Sequence, residues 1–526
     1  MKRSYKRIIG SRLIVTALAV LIQLTWLWGL LEFLAPYALP INIVLTVLAV
    51  LFVLYVASKR DEPAYKILWL ICILAFPLFG AILYLGFGDK KTSRPLHRRL
   101  EKAVAEIGPP KAEADTVHEL EQESPHMAQI FRYASRLSRY PVQRNRDARY
   151  YPSGEAMFPV MLRALEQAEK YIYLEYFNFR NDSIGKALFT LLDKKVREGV
   201  KVRVIYDDFG NVSNDRPLRK RHLWQLKSRH FEVVVFDPIV FPWVNHALHR
   251  DHRKIVVIDD KVVYTGGMNV ADYYIHGRPE FGKWRDMHMR LEGDCVPLYR
   301  RIFCEMWERC TDHKIDSLEY QPDSLAIQID FRGLKETACA DSSGILLGVA
   351  NREPKRSPAI IRRSYIDAID NAQKRIQIVN PYFTLVPSVK KALYRALKRG
   401  VKLEVMLSTK CDVPVMPDVA AYHAKRLMKR GADIYYYEDG FHHSKVMMVD
   451  STFCTVGSAN LNSRSLKFDY EVNAFIIDSC TTRELQNIFE ADKHHSTLLT
   501  PENWKKRRSF GRRFMGWFYH LLIPLI

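Results

Sequence analysis

The sequence predicts an α/β protein of two similar lobes, preceded by N-terminal membrane helices. Three observations support this fold class: an internal duplication, helices that end at glycine and lead into β-branched runs, and long apolar stretches near the N-terminus. The length of 526 residues also favours several units, because one domain holds roughly 150 residues.

The N-terminal part contains three uncharged apolar runs, at residues 13–31, 41–57 and 67–87. Each approaches or reaches the ~20 residues that a helix needs to cross a bilayer. No small-residue cleavage site follows the first run, so we interpret it as a retained anchor and not as a signal peptide. Pro77 and Gly80 interrupt the third run, which predicts a re-entrant or interfacial segment.

Basic residues precede the first run, separate the second from the third, and follow the third, whereas residues 35–40 carry no charge. The positive-inside rule places all three basic clusters in the cytoplasm, which fits if the first two runs form a hairpin. We therefore expect a multi-pass membrane protein whose lobes lie on the cytoplasmic side.

The net charge points to a polyanionic partner. The chain has 79 Lys and Arg against 58 Asp and Glu, a formal net charge of +21, which suits nucleic acid or an anionic membrane. The tail at 503–526 places basic residues before an apolar, aromatic end too short to span. Such a tail is typical of an interfacial segment on anionic lipid. The eight cysteines form no C-x-x-C pair, so neither a disulfide framework nor a zinc site is predicted.

The rest of the chain is duplicated. A helix end that leads into a strand at 164–177 has a counterpart at 368–383, and each copy continues with a helix, a glycine and a β-branched run. This order is typical of an α/β unit with a parallel or mixed sheet. The predicted units are membrane-anchoring segments at 1–88, a polar linker at 89–143, a first lobe at 144–311, a linker with room for extra strands at 312–357, a second lobe at 358–502, and an interfacial tail at 503–526.

Each lobe carries the same motif near its end: H-x-K, four apolar residues and D, then six residues and G-[GS]-x-N. One copy could arise by chance, but two copies at corresponding positions are strong evidence for a site. The candidate catalytic residues are His252, Lys254 and Asp259 in the first copy and His443, Lys445 and Asp450 in the second.

The motif suits a phosphodiester substrate. Side chains two apart share one face of a strand, so His and Lys can act together, whereas Asp seven positions after the His lies on the other face and is interpreted as scaffold. Lysine neutralises phosphate oxygens, neutral imidazole attacks phosphorus, and imidazolium protonates the leaving alkoxide. Because one histidine cannot do both, we expect the lobes to share one active site that needs no metal or cofactor.

The end of each motif supplies further candidates. Asn269 and Asn460 would donate amide hydrogen bonds to substrate. Gly267 and Ser458 either line the phosphate pocket or form an ordinary turn. Gly267 stands where the second copy has Ser458, so the first lobe cannot offer a hydroxyl there.

The paired motifs resemble the duplicated H-K-D signature of the phospholipase D superfamily, and the whole chain resembles its bacterial cardiolipin synthases. The likeness includes residues 76–86, 151–154, 250–254 and 284–286, and the basic aromatic C-terminus. It implies two phospholipase D-like lobes, a location in the bacterial inner membrane, and phosphatidylglycerol, cardiolipin and the anionic membrane as partners, with no nucleic acid.

The same resemblance implies a ping-pong transfer of a phosphatidyl group. One histidine attacks phosphatidylglycerol, glycerol leaves, and a second phosphatidylglycerol takes the phosphatidyl group to form cardiolipin. The resemblance implies His252 as the nucleophile and His443 as the acid and base. It also implies that Asp286 and Glu471 are the carboxylates that the family places against its catalytic histidines.

Three other functions are weighed against this one. A membrane-bound phospholipase D that hydrolyses phospholipid to phosphatidic acid would use every residue named above. A nuclease of the superfamily would use the same histidines and the net charge, but its membrane anchors would be unexplained. A non-enzymatic membrane scaffold would leave the paired motifs without a reason.

Overall fold

The computed structural model describes residues 17–29, 38–59, 63–88, 142–218, 232–238, 249–311, 345–354 and 359–522, with a few short pieces between 98 and 140. Most of the linker predicted at 89–143 and the stretch 312–344 lie outside the described residues.

The N-terminal helices are α1 (Ala17–Gly29), α2 (Ala38–Ser58), α3 (Pro63–Ala75) and α4 (Pro77–Leu83), and a π-helical turn follows at Tyr84–Gly88. Within the described residues, only the stretch Leu39–Ser58 of α2 is long and apolar enough to cross a membrane, with a mean hydropathy of 2.6. The helices α1 and α3 are shorter than a span.

The third apolar run is interrupted as predicted, because α3 ends at Ala75 and α4 begins at Pro77. The two helices approach closely there: a Cβ atom added at Gly80 would lie 2.6 Å from the carbonyl oxygen of Cys72. Buried aromatic rings of Tyr65, Trp69 and Tyr84 then join α3 to the π-helical turn. The run therefore folds back on itself instead of forming one continuous helix.

Both lobes belong to one fifteen-stranded sheet, and two further strands pair separately. The strands are β1 (Gln143–Tyr151), β2 (Tyr171–Tyr176), β3 (Lys201–Asp207), β4 (Glu232–Phe236), β5 (Ile255–Ile258), β6 (Val262–Gly266), β7 (Lys283–Arg285), β8 (His288–Gly293), β9 (Ile345–Arg352), β10 (Arg375–Val379), β11 (Lys402–Ser408), β12 (Asp433–Tyr437), β13 (Gly440–His442), β14 (Val446–Val449), β15 (Phe453–Gly457), β16 (Glu471–Ile477) and β17 (Ser496–Leu498).

Helices cover this sheet and continue to the C-terminus. They are α5 (Gly154–Glu166), α6 (Ser183–Arg197), α7 (Asp208–Val212), α8 (Tyr273–His276), α9 (Val296–Thr311), α10 (Ile360–Asn371), α11 (Pro387–Lys398), α12 (Met416–Met428), α13 (Ser463–Lys467), α14 (Ser479–Lys493), α15 (Pro501–Arg507) and α16 (Phe510–Leu522).

Among the described strands, the sheet is symmetric about its centre except for β17, which has no counterpart in the first lobe. The strand order is β17-β12-β11-β10-β14-β15-β16-β9-β1-β8-β6-β5-β2-β3-β4, with β1 and β9 antiparallel in the middle. Outward from this pair, β8, β6, β5, β2, β3 and β4 of the first lobe match β16, β15, β14, β10, β11 and β12 of the second. The pairs β2–β3 and β10–β11 are parallel, whereas β5 and β14 run antiparallel to their neighbours. The duplication in sequence is thus a duplication in structure.

The stretch 312–357, predicted as a linker with room for extra strands, contains one strand within its described part. This strand, β9, lies at the centre of the sheet between β16 and β1. All eight residues of β9 are buried, because this strand joins the two halves. A buried cluster that includes Phe303 of α9 and Phe489 of α14 also spans both lobes. The lobes are therefore fixed to one another by a shared core.

Six of the described cysteines are free. Two of them are buried, Cys295 and Cys454, and the other four are half-buried. Cys480 is disulfide-bonded, which the sequence did not indicate.

Candidate active site

Each motif histidine is held by the backbone of the other lobe. The His252 N–H, just before β5, donates to the carbonyl oxygen of Tyr470 at 3.0 Å. The His443 N–H, just before β14, donates to the carbonyl oxygen of Arg285 at 2.6 Å. The strands β7 and β13 also pair in parallel, so segments of the two lobes cross at the motifs. Both histidines therefore lie where the lobes meet, as a shared site requires.

Each lobe supplies the carboxylate that contacts the motif histidine of the other lobe, Glu471 for His252 and Asp286 for His443. Both oxygens of Glu471 lie 3.1 Å from His252 Nδ1. Asp286 Oδ2 lies 2.6 Å from His443 Nδ1. A carboxylate at Nδ1 favours the tautomer with its proton there and leaves Nε2 free to react.

Both carboxylates are fully buried, yet both stay ionised. Burial raises the pKa of Glu471, but the charge and hydrogen bond of His252, the charge of Lys254 and the hydrogen bond of Ser458 together hold the pKa below its ordinary value. Burial likewise raises the pKa of Asp286, and the opposing charges of Lys445 and His443 bring it below the ordinary value. An ionised carboxylate stabilises the imidazolium that forms when Nε2 takes a proton.

The two motif lysines are buried beside the histidines. Lys254 Nζ donates to the carbonyl oxygen of His252 at 2.5 Å. Lys445 Nζ lies 2.8 Å from His443 Nδ1 and 3.6 Å from Asp286 Oδ2. Burial lowers the pKa of Lys254 to about 7, and it also lowers the pKa of Lys445. Buried ammonium groups of this kind gain most from an anion, so the site is electrostatically suited to a phosphate.

Aromatic rings wall the site, and sequence reasoning missed their role. The Phe177 ring centroid lies 5.1 Å from that of His252. Trp284, Tyr382 and Phe441 surround His443 at centroid distances of 5.7, 5.6 and 5.2 Å. Burial lowers the pKa of His443 to about 4, with a further contribution from Lys445. A usable signal was present, because Phe177 directly follows β2 and Phe441 lies two residues before its motif histidine.

A buried ion-pair network also escaped sequence reasoning. Arg253, inside the first motif, pairs with Glu175 at 2.8 Å and with Asp251 at 3.1 Å. Its guanidinium also donates to Asn351 Oδ1 of β9 at 3.2 Å. The network thereby ties the first motif to the central strand of the sheet.

The aspartates of the two motifs accept hydrogen bonds from backbone N–H groups. This agrees with the scaffold role that strand periodicity predicted. The carboxylate of Asp259 accepts hydrogen bonds from the N–H groups of residues 169–171 at 2.7–2.9 Å. The carboxylate of Asp450 accepts from residues 373–375 at 2.7–3.0 Å. Both aspartates have left-handed backbone, with φ of 53° and 52°. They follow β5 and β14 at the end away from the histidines, so their inclusion among the catalytic candidates is corrected to a structural role.

Replacement of Asp259 by alanine is expected to destabilise the fold, because three backbone donors lose a charged acceptor. The unfolding midpoint should fall by roughly 5–10 °C, measured by thermal unfolding in neutral detergent. The turnover per folded molecule should stay close to that of the parent. A loss of turnover without a change in midpoint would show that Asp259 acts in the chemistry.

Ser458 supports a carboxylate of the site. Its side chain is fully buried and donates to Glu471 Oε2. The sequence left open a pocket-lining role and an ordinary turn, and this hydrogen bond indicates that Ser458 supports Glu471. At the matching position, a Cβ atom on Gly267 would lie 2.3 Å from Asp286 Oδ1. Glycine there lets the shorter carboxylate of Asp286 lie against the sheet.

The Gly267→Ala variant is expected to displace Asp286 and to lower turnover by at least about tenfold. Turnover should be measured beside Gly511→Ala, since a Cβ atom at Gly511 would meet nothing within 4 Å. Equal turnover in the two variants would contradict the positioning of Asp286 by Gly267.

Asn269 and Asn460 are buried at the ends of the motifs, with 5% and 4% of their surface exposed. The Asn269 Nδ2 atom donates to the hydroxyl of Tyr274 at 3.3 Å. The side-chain oxygen of each asparagine has no hydrogen-bond partner among the described residues. Donation from these amides to the substrate stays a prediction. The described part of the chain contains no group of three or more His, Cys, Asp or Glu side chains placed to hold a metal ion.

Comparison with known proteins identifies the family. A family model described as a cardiolipin synthase, phospholipase D-like domain matches residues 161–282 and again 365–493. A second model, described as a phospholipase D-nuclease N-terminal region, matches residues 44–88. These matches cover both lobes and the helices α2 to α4.

Whole-chain relatives agree. A probable cardiolipin synthase of Bacillus subtilis is 30% identical over 484 residues, which are 89% of this chain and 91% of the relative. Cardiolipin synthase 1 of Bacillus cereus is 29% identical, with 92% of each chain covered.

Among solved structures, the phosphatidylserine synthase of Haemophilus influenzae matches with a TM-score of 0.55 at 16% identity. The match covers 76% of this chain and 100% of that one, which supports the two-lobed fold. Two family-model matches, a relative at 30% identity over most of both chains, and paired motifs joined in one site lead to a single conclusion. The chain belongs to the cardiolipin synthases of the phospholipase D superfamily.

Proposed function

We propose that this site transfers a phosphatidyl group from one phosphatidylglycerol to the terminal hydroxyl of a second, which yields cardiolipin and glycerol. The observation that carries the proposal is the pair of crossed His-carboxylate contacts, His252 with Glu471 and His443 with Asp286. Each contact engages Nδ1 and keeps the carboxylate away from Nε2, and a buried lysine contacts each histidine, with Lys445 Nζ 3.3 Å from His443 Nε2. Two such units supply a nucleophile and an acid for one phosphodiester.

In the first half-reaction, His252 Nε2 attacks the phosphorus of phosphatidylglycerol and forms a P–N bond. The P–O bond to the headgroup glycerol breaks, and the imidazolium of His443 gives its Nε2 proton to the departing oxygen. Lys254 and Lys445 neutralise the non-bridging oxygens as charge builds on them. The products are free glycerol and a phosphatidyl group on His252.

In the second half-reaction, neutral His443 takes the proton from the terminal hydroxyl of another phosphatidylglycerol. The oxygen attacks phosphorus, the P–N bond breaks, and His252 returns to its starting form. Glu471 stabilises positive charge on the His252 ring in both halves. One proton thus moves from His443 to glycerol and is replaced from the acceptor lipid.

The assignment of roles follows the family resemblance, and the electrostatics add a condition to it. The pKa of His443 is lowered to about 4 in the unliganded site, so its imidazole is neutral near pH 7. Its action as an acid therefore requires the bound phosphate to raise that pKa, as a nearby anion does. The His252 side chain is the more accessible, with 14% exposed against 6% for His443, which favours His252 as the attacking group.

Aromatic rings that limit the access of water to the site favour transfer of the phosphatidyl group over its hydrolysis. The aromatic rings of Phe177, Trp284, Tyr382 and Phe441 cover the histidines. Such a wall limits the access of water to a phosphatidyl-enzyme.

The chain is membrane-associated through its N-terminal apolar region. We propose that the lobes face the cytoplasm of a bacterial inner membrane and that the first two apolar runs form a hairpin. The basic clusters that flank the runs support this orientation. The fold-back between α3 and α4 supports an interfacial third run.

Product analysis tests the proposed activity. The purified chain is given phosphatidylglycerol alone in vesicles, and lipid products and released glycerol are followed beside the His252→Ala variant. We expect one glycerol for each cardiolipin, and neither product from the variant. Phosphatidic acid as the sole product would identify a hydrolase, and no lipid turnover would reject the proposal.

A further inference from the structure

A basic groove lies outside the active site, between α12 and the C-terminal helices α15 and α16. Its cavity volume is about 290 Å³. Six cationic side chains line it, and none belongs to the two motifs: Lys425, Arg426, Lys429, Arg508, Arg512 and Arg513.

Positive charge in the groove is largely uncompensated. Of the described residues that line it, Asp418 is the only carboxylate, and Arg508 binds it through Nη1. Lys425 Nζ lies over the Trp504 ring at 4.4 Å, and the Arg426 guanidinium lies over the Tyr422 ring at 3.9 Å. Burial and the neighbouring charge of Lys429 lower the pKa of Lys425. Such clustered cations attract an anion with several oxygen acceptors.

The helix beside the groove has an exposed apolar face. In α16, the exposed fractions are 78% for Phe510, 50% for Phe514, 44% for Trp517 and 42% for Leu521. Basic residues of the same helix, Arg512 and Arg513, line the groove. A helix of this composition is suited to the membrane interface, and the groove would then lie at the level of the lipid headgroups.

We propose that this groove binds the headgroup phosphate of an anionic membrane phospholipid, at a site separate from the phosphate that reacts. The cationic side chains bind the phosphate, and the exposed apolar face of α16 places the site against lipid. A lipid is favoured over a free anion because the groove and this apolar face belong to the same helix. The site goes beyond the proposed function, since none of its residues contacts a motif histidine.

The groove also adjoins the wall of the active site. A neighbouring cavity of about 220 Å³ shares Asp418 and Arg512 with it and is lined by Phe281. The Phe281 ring lies 5.8 Å from that of Trp284, which in turn contacts His443. A lipid in the groove would therefore hold this side of the active site at the membrane surface.

Lipid retention tests the site without requiring turnover. The full chain carrying His252→Ala is purified in neutral detergent, and the bound lipids are counted by native mass spectrometry. Lys429→Gln with Arg512→Gln removes two groove charges. Lys505→Gln with Lys506→Gln is the matched control, because it removes two charges from α15 outside the groove. Equal thermal midpoints of the two double variants establish that both fold.

We expect phosphatidylglycerol to bind one site on the order of 30-fold more weakly in the groove variant than in the control, because the groove variant lacks two basic side chains that contact the phosphate. Phosphatidylcholine should show no difference between them. Equal retention of phosphatidylglycerol by both variants would overturn the site. Displacement of the lipid by inorganic phosphate at equal concentration would also overturn it, because the ligand would then be a soluble anion. Since catalysis is absent throughout, these outcomes are independent of the proposed activity.

Discussion

Alanine at either motif histidine, His252 or His443, is expected to lower the rate of cardiolipin formation by on the order of 10⁴-fold or more. His252→Ala removes the atom that bonds to phosphorus, and His443→Ala removes the proton donor and acceptor. Both rings lie in the lobe interface, each held by a carboxylate of the other lobe. The rate should be measured with phosphatidylglycerol vesicles at saturating lipid.

His494→Ala is the matched control for these variants, because His494 is an exposed residue at the C-terminal end of α14. It should keep the parental rate. Since the reaction needs both histidines, the double variant should be no slower than either single variant. A single variant that keeps a tenth of the parental rate would remove its histidine from the proposed chemistry.

The second large effect is expected at the exchanged carboxylates. Asp286→Asn and Glu471→Gln should each lower turnover by about 10²–10⁴-fold, because an amide neither fixes the productive tautomer nor stabilises the imidazolium. The change is nearly isosteric, so the buried packing around both residues is kept. Loss of turnover with an unchanged thermal midpoint is the expected result.

The pH dependence distinguishes which carboxylate serves which histidine. Asp286 raises the pKa of His443, so Asp286→Asn should lower that pKa and favour the neutral ring. The limb of the kcat profile that falls as His443 loses its proton should therefore move to lower pH in Asp286→Asn. In Glu471→Gln the same limb should stay in place. A shift of this limb in Glu471→Gln and none in Asp286→Asn would contradict the exchange.

Much of the fold was predictable because its signals are local. The duplication, the glycines that end α6 and α11, and the apolar runs of β5 and β14 all lie within short segments, and so does the two-residue side-chain period of a strand. The same periodicity predicted the structural role of Asp259 and Asp450. The third apolar run was also predictable, since Pro77 marks the break between α3 and α4.

The site was predictable only in part, because its assembly depends on long-range contacts. Asp286 and His443 are 157 positions apart, and Glu471 and His252 are 219 apart. Resemblance named both carboxylates, but the exchange between lobes follows from the crossing at β7 and β13. No local pattern encodes such a pairing.

Two further contacts could not be predicted for the same reason. Strands were expected to be possible in 312–357, but nothing near β9 in sequence indicates that it pairs with β1 and β16. The role of Ser458 stayed open because its partner, Glu471, lies across the β15–β16 pair. Both residues of a buried contact must be placed before the role of either is visible.

The proposed reaction passes through a covalent phosphatidyl-histidine at the interface of the two lobes. One burst experiment tests for it most directly. The His443→Ala variant is mixed with a phosphatidyl-p-nitrophenol ester, whose leaving group departs without a proton donor. We predict a burst of about one p-nitrophenolate per chain and a phosphatidyl adduct on His252, because the second half-reaction lacks its base. The His252→Ala variant should give neither. A burst from His252→Ala with the adduct on His443 would reverse the roles, and turnover without any adduct in either variant would contradict the covalent mechanism.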